Sequence, residues 1–209
     1  MNNQIMFVDA SAKEEIDALR MQEYALASGF QVDLSTLRWK VSDDESFVMA
    51  ARKEGQIIST MRGEVIDDLA LLEHKLECPW SFPKIQFPVL LLSRAATLSP
   101  FRSLGLNLVL RYWFLRFAME RNIEFVVGTF VSGSPRENTL REMGYQFFEN
   151  KLGWQQSTYR SLRPVNVVML NLRTEGKKAM DYCLNRAPKS IDDFPYHGDF
   201  PQLRMVNTI

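Results

Sequence analysis

At 209 residues, with 46% apolar and 24% charged side chains, the chain has globular composition and enough length to bury a substantial core. Its 25 Lys and Arg balance its 25 Asp and Glu, which argues against nucleic-acid binding and against a polybasic membrane patch, so any basic site must be local. Two lone cysteines, Cys78 and Cys183, lack metal or redox spacing, no leader-like N-terminus or membrane-length apolar run is present, and a cytoplasmic protein with free thiols and no metal is expected.

In chain order, residues 11–28 read as a helix, opened by Ser11 with Glu14 in a capping-box pattern and stopped by Gly29. Residues 46–53 and 56–66 read as two strands of a hairpin turning at Glu54-Gly55. A short helical pattern over 69–77 leads into the turn-rich CPWSFPK. Residues 88–98 are too uniformly apolar for a half-exposed strand and are expected at the sheet centre. Residues 106–121 form a helix with a narrow polar stripe, and 123–131 form a second buried strand. A short helix over 134–143, strands at 145–149 and 164–172, a helix at 174–186 and an irregular tail rich in Pro and aromatics complete the chain. The expectation is an α/β domain over 1–172, with a central mixed sheet and helices on both faces, and a C-terminal helix and tail (173–209) packed on it. The G-x-G-x-x-G fingerprint and the Gly-Lys-Ser/Thr phosphate loop are both absent.

The sharpest chemical signal is the turn Arg102-Ser103-Leu104-Gly105-Leu106-Asn107 after Leu98. Amides that open a helix have no intrahelical partner, and the helix dipole adds partial positive charge there. Such a turn suits a phosphate or pyrophosphate.

At these residues the chain resembles the GNAT superfamily of N-acyltransferases. Arg102, Gly105 and Asn107 fall on that family's Q/R-x-x-G-x-G/A turn, with Asn replacing Gly or Ala. The ending LREMGY resembles the family's helix ending in Gly and an aromatic, but Leu140 stands where a Tyr acid is frequent. A narrower resemblance is to N-acyl amino acid synthases and acyl-homoserine-lactone synthases, which use acyl-carrier protein. Ser93-Arg94 matches their E-x-S-R strand, with Leu91 in place of Glu, and Arg62 and the segment Arg20–Tyr24 match further positions. The missing Glu and the missing D-x-x-D pattern argue against a lactone product.

The resemblance implies transfer of an acyl group from a thioester, acyl-CoA or acyl-phosphopantetheine, to a primary amine such as that of an amino acid. The alternatives are an acetyl-CoA-dependent acetyltransferase and a catalytically silent acyl- or CoA-binding regulator. A small amine and an acyl-carrier protein are the candidate partners, and no cofactor is expected to be tightly bound. Amides near Ala96 and Thr97 would stabilise the oxyanion, and Leu98 with residues 102–107 would hold the donor's phosphates. Arg94 and Arg62 would bind the acceptor carboxylate, although a buried Arg is equally served by a protein carboxylate. Glu64 is a candidate base, as is the Glu73, His74, Glu77 cluster. Trp113, Phe117 and Phe130 are candidates for an acyl pocket, with plain core packing as the competing reading.

Overall fold

The structure is a computed structural model and describes residues 3–26, 30–32, 34–149, 159–161 and 165–205. Seven strands form one sheet: β1 (Gln4–Val8), β3 (Phe47–Lys53), β4 (Gln56–Ile66), β5 (Val89–Thr97), β6 (Phe125–Val131), β9 (Val165–Asn171) and β7 (Gln146–Glu149), in that spatial order. Two short strands, β2 (Phe30–Val32) and β8 (Tyr159–Ser161), pair apart from it. Every neighbouring pair in the main sheet is antiparallel except β5 with β6. The mixed sheet and the central place of β5 match the sequence expectation.

The β3–β4 hairpin turns where expected. Glu54 and Gly55 both have positive φ, 53° and 87°, as a two-residue turn matched to strand twist requires. The first helix differs from the expectation. Asp9, not Ser11, caps the entry by accepting from Ser11 N at 2.9 Å, a 3-10 turn follows over Ala10–Ala12, and α1 runs Lys13–Ala25. The expected stop at Gly29 lies outside the described residues. Strand β1, the 3-10 turn Leu34–Leu37 and the single-turn α2 (Val41–Asp44) were not legible, because none is long enough to show a period.

Alternation along β4 sorts the two faces. Ile66 packs with Leu71 and Leu72 of α3 (Leu69–Leu76), so Arg62, Glu64 and Ile66 face α3. Gly63 faces the other way, toward α4 (Leu106–Glu120); a Cβ there would stand 2.5 Å from the Phe114 ring. α4 packs in turn on α6 (Leu172–Arg186), which starts directly at the end of β9, where the Asn171 side chain accepts from Arg173 N. After α5 (Glu137–Glu142) and α6, a short α7 (Pro188–Asp193) leads into the tail. Helices thus cover both faces. No helix among the described residues is long and apolar enough to cross a membrane.

Candidate active site

The parallel strands β5 and β6 pair only from Val89 with Phe125 to Leu92 with Gly128. Beyond that point Ser93–Thr97 stay with β4 and Thr129–Val131 stay with β9, so the two strands splay. The register of β4 against β5 shifts here as well: Thr60 pairs with Ala96 but Arg62 pairs with Ser93, leaving one extra residue on β5. Arg94 takes up that bulge with φ 51°, a left-handed conformation that costs a non-glycine residue about 1 kcal/mol or more. Bulges re-aim side chains, and this one turns Arg94 toward α2.

A cleft of about 920 Å³ opens at the splay. Tyr24, Lys40 and Ser42 line it from α1 and the α2 segment, and His74 to Glu77 from α3. Its floor is Leu91–Thr97 and Val127–Val131, and Gly105, Asn107, Leu108 and Arg111 of the α4 entry close the far wall.

On one side of the cleft the charges form a hub. Asp43 Oδ1 accepts from Arg20 Nη1 at 2.9 Å, and Oδ2 accepts from Arg94 Nη1 at 2.7 Å and from the Lys40 amide at 3.0 Å. Arg62 Nη1 lies 3.8 Å from the same carboxylate, while its Nε donates to Ser93 Oγ at 3.0 Å. Burial pushes the Asp43 carboxyl up, but Arg20, Arg62, Arg94 and the Lys40 amide outweigh it, and its pKa falls below the ordinary aspartate value. Glu64 is fully buried, 2.7 Å from Arg62 Nη2 and 3.0 Å from Lys75 Nζ, though neither contact has hydrogen-bond geometry.

On the other side, residues Ser99–Leu104 form a 3-10 turn, and Gly105 at φ 67° caps α4. The helix therefore begins at Leu106, and its first intrahelical bond runs from Leu108 N to Gly105 O at 2.8 Å. This corrects the expectation that all of 102–107 present free amides: only the amides at the start of α4, near Leu106 and Asn107, sit where a helix lacks partners. A Cβ on Gly105 would lie 3.2 Å from Ala187 Cβ, so both conformation and packing favour glycine. Ser103, Leu104, Leu106 and Leu98 do not line the cleft. Arg102 does, and its guanidinium is paired with Glu23 at 2.7 Å. Glu23 also accepts from Ser99 N and Oγ, each at 3.0 Å.

Other expected site residues fall elsewhere. Leu98 N donates to Ile58 O, so strand alternation commits the Ala96 amide to the β4 ladder and turns the Thr97 amide into the gap. Of the two expected amides, the Thr97 amide faces the gap and the Ala96 amide does not. Glu64 does not line the cleft, because two cations enclose it. Phe130 lines the cleft, but Phe117 and Trp113 do not. Phe117 packs fully buried against Phe47 and Phe7, and Trp113 lies against Tyr196 of the tail.

Three residues of the site were missed, two of them in the cleft and one in the buried hub. Arg111 donates to Tyr145 Oη at 2.7 Å, and Arg136 reaches the cleft from the turn before α5. Desolvation inside the cleft and the nearby Arg111 and Arg102 both lower the Arg136 pKa. The third is Asp43, whose place in a four-residue helix leaves no pattern in sequence.

No family model matches the chain, and no curated protein matches it in sequence. Solved structures do. A CoA-dependent acyl-homoserine lactone synthase, BjaI, solved with SAM and isopentyl-CoA, superposes with a TM-score of 0.62 at 14% identity, over 97% of this chain and 96% of that one. The acyl-homoserine lactone synthase LasI gives 0.61 at 17% identity over 86% and 93%. FeeM, an N-acyl amino acid synthase from uncultured soil microbes, gives 0.55 at 12% identity over 86% and 97%. A probable acetyltransferase from Staphylococcus epidermidis gives 0.56 at 12% identity. With these superpositions the chain has the GNAT N-acyltransferase fold.

Proposed function

We propose that the protein is an N-acyltransferase that moves an acyl group from a thioester, on CoA or on carrier-protein phosphopantetheine, to the amine of an amino acid or a similar anionic small molecule. The observation that carries this is the placement of the β5–β6 gap between a helix N-terminus and the hub of Arg94, Arg62 and Asp43.

The donor's phosphates would meet the α4 entry at Leu106 and Asn107 with Arg102 beside them, and its pantetheine arm would lie in the gap. The arm would lie between edges of β5 and β6 that no longer pair with each other. The thioester carbonyl would point at the Thr97 amide, where negative charge develops in the tetrahedral intermediate. Arg94 and Arg62 would hold the acceptor's carboxylate, both lining the cleft. The amine attacks as the free base; of the titratable groups His74, Lys75 and Glu77 that line the α3 end of the cleft, His74 and Glu77 are the candidate bases, and Glu64 is sealed from it. The departing thiolate needs a proton. Leu140 cannot supply one; Tyr24 Oη, which donates to Ala95 O at 3.4 Å beside the gap, would supply it. The acyl chain would run along Leu76, Leu91, Val127 and Phe130.

The test is a series of thioesters from two to twelve carbons, on CoA and on carrier protein, with free amino acids as acceptors and amide product read by mass spectrometry. Amide formation favouring chains of eight or more carbons supports the reading. Preference for acetyl-CoA would replace it with an acetyltransferase, and donor binding without turnover would replace it with a silent regulator.

A further inference from the structure

The C-terminal tail does more than cap the core. Residues 194–205 run as a strap along the free edge of the sheet. Ile5 N donates to Pro195 O at 2.8 Å and His197 N donates to Ile5 O at 2.7 Å, which extends the sheet past β1. Tyr196 and Phe200 pack on Phe7 and Trp113, and Arg121 Nη2 donates to the carbonyls of Phe200 and Pro201 at 3.1 and 2.9 Å. The strap then turns toward the start of β3. Arg204 Nη2 donates to Ser46 O at 2.7 Å, and its guanidinium lies 5.0 Å over the Phe47 ring.

Ser46 is the residue through which α2 joins β3. Its amide donates to Asp43 O at 3.2 Å, and its hydroxyl donates to Ser42 O. α2 is one turn long, so it has almost no intrahelical hydrogen bonding of its own to hold Asp43 in place. The side chain of Asp43 nevertheless has to meet Arg20 and Arg94 from opposite oxygens. Besides the arginines on Asp43, contacts that hold this turn include the Lys40 amide on Asp43, the Trp39 indole on Asp44 at 2.7 Å, and Arg204 on Ser46.

We propose that the strap, through Arg204, positions Asp43 and thereby the arginines that receive the acceptor. Arg204 is a positioning residue: it lies outside the cleft and acts through Ser46 and α2. A planar guanidinium suits both tasks, donating to the carbonyl while stacking on Phe47. The acceptor half of this statement rests on the amino-acid reading above; the coupling of strap to hub does not.

The experiment compares hydrogen exchange and kinetics in the full-length protein and in Arg204→Ala and Arg204→Lys. In Arg204→Ala, amides of residues 43–46 should exchange about tenfold faster, while those of β5 and β6 stay unchanged. The acceptor KM should rise about threefold to tenfold with the donor KM unaltered. Arg204→Lys, which keeps one donor to Ser46 O, should restore most of the exchange protection. Unchanged exchange over 43–46 in Arg204→Ala overturns the coupling, whatever the enzyme's substrates prove to be. Faster local exchange with an unaltered acceptor KM overturns the positioning role. A wild-type protein that turned over no thioester would sink the acyltransferase reading, and exchange would still decide the strap.

Discussion

Arg94 Nη1 lies 2.7 Å from Asp43 Oδ2, and the left-handed backbone of Arg94 itself brings it there. A regular strand would alternate Arg94 onto the face opposite Ser93. The bulge breaks that alternation beside the gap, so one backbone irregularity both aims a guanidinium and opens the sheet.

Asp43 is the shared anion of three arginines, which makes its removal the costliest change in the site. Asp43→Asn should lower unfolding free energy by about 3–5 kcal/mol, because it leaves buried guanidinium groups uncompensated. Arg94→Ala should cost less, since Asp43 keeps Arg20 and Arg62. Urea unfolding of both variants checks the order. A loss for Asp43→Asn no greater than that of an exposed substitution would contradict the hub.

The same residue predicts the acid limb. Because the folded-state pKa of Asp43 is lower than its unfolded value, the unfolded chain takes up the proton first as pH falls. The stabilisation is complete above the ordinary aspartate pKa of about 4 and is lost as pH falls through the folded value. Melting temperature followed from pH 7 to pH 2 should drop below about pH 4, and Asp43→Asn should flatten that drop. An equally steep acid limb in the variant would assign it to other carboxylates.

Much of this site was readable before the structure. The Gly105 turn, the central strand and the Arg94 and Arg62 positions carry local signals, in one case a glycine ahead of a helix and in the others cations set in apolar strands. What sequence could not give was pairing across distance. Arg94 needed a partner, but Asp43 is separated from it by 51 residues and sits on a helix too short to show a period. The aromatics failed for a related reason. Trp113 and Phe117 are as apolar as Phe130, and only the course of the tail decides that the first two pack on it and its neighbours, away from the cleft.

In the proposed mechanism Tyr24 would supply the proton that Leu140 cannot. Tyr24→Phe should lower kcat about a hundredfold, within the range usual for general acid catalysis, and leave the acceptor KM near its starting value. A leaving thiol of low pKa should rescue the variant selectively. Full activity in Tyr24→Phe would remove it from the mechanism.

The thiols should be silent in the folded protein. Burial first, and the nearby Glu73 and Glu77, push Cys78 up to about 11, and burial pushes Cys183 up to about 12. At pH 8 neither should react with iodoacetamide until the protein unfolds, and two equivalents should react in urea. Fast labelling of either one in the native state would show that its surroundings open.

In the proposed reaction the gap beyond Leu92 and Gly128 is the donor's seat. The most direct measurement is a crystal structure with an unreactive thioether analogue of an acyl-CoA. The pantetheine arm is expected between Ser93–Thr97 and Thr129–Val131, its pyrophosphate against the amides of Leu106 and Asn107, and the carbonyl oxygen at the Thr97 amide. An analogue bound elsewhere on the molecule, with the gap empty, would contradict it.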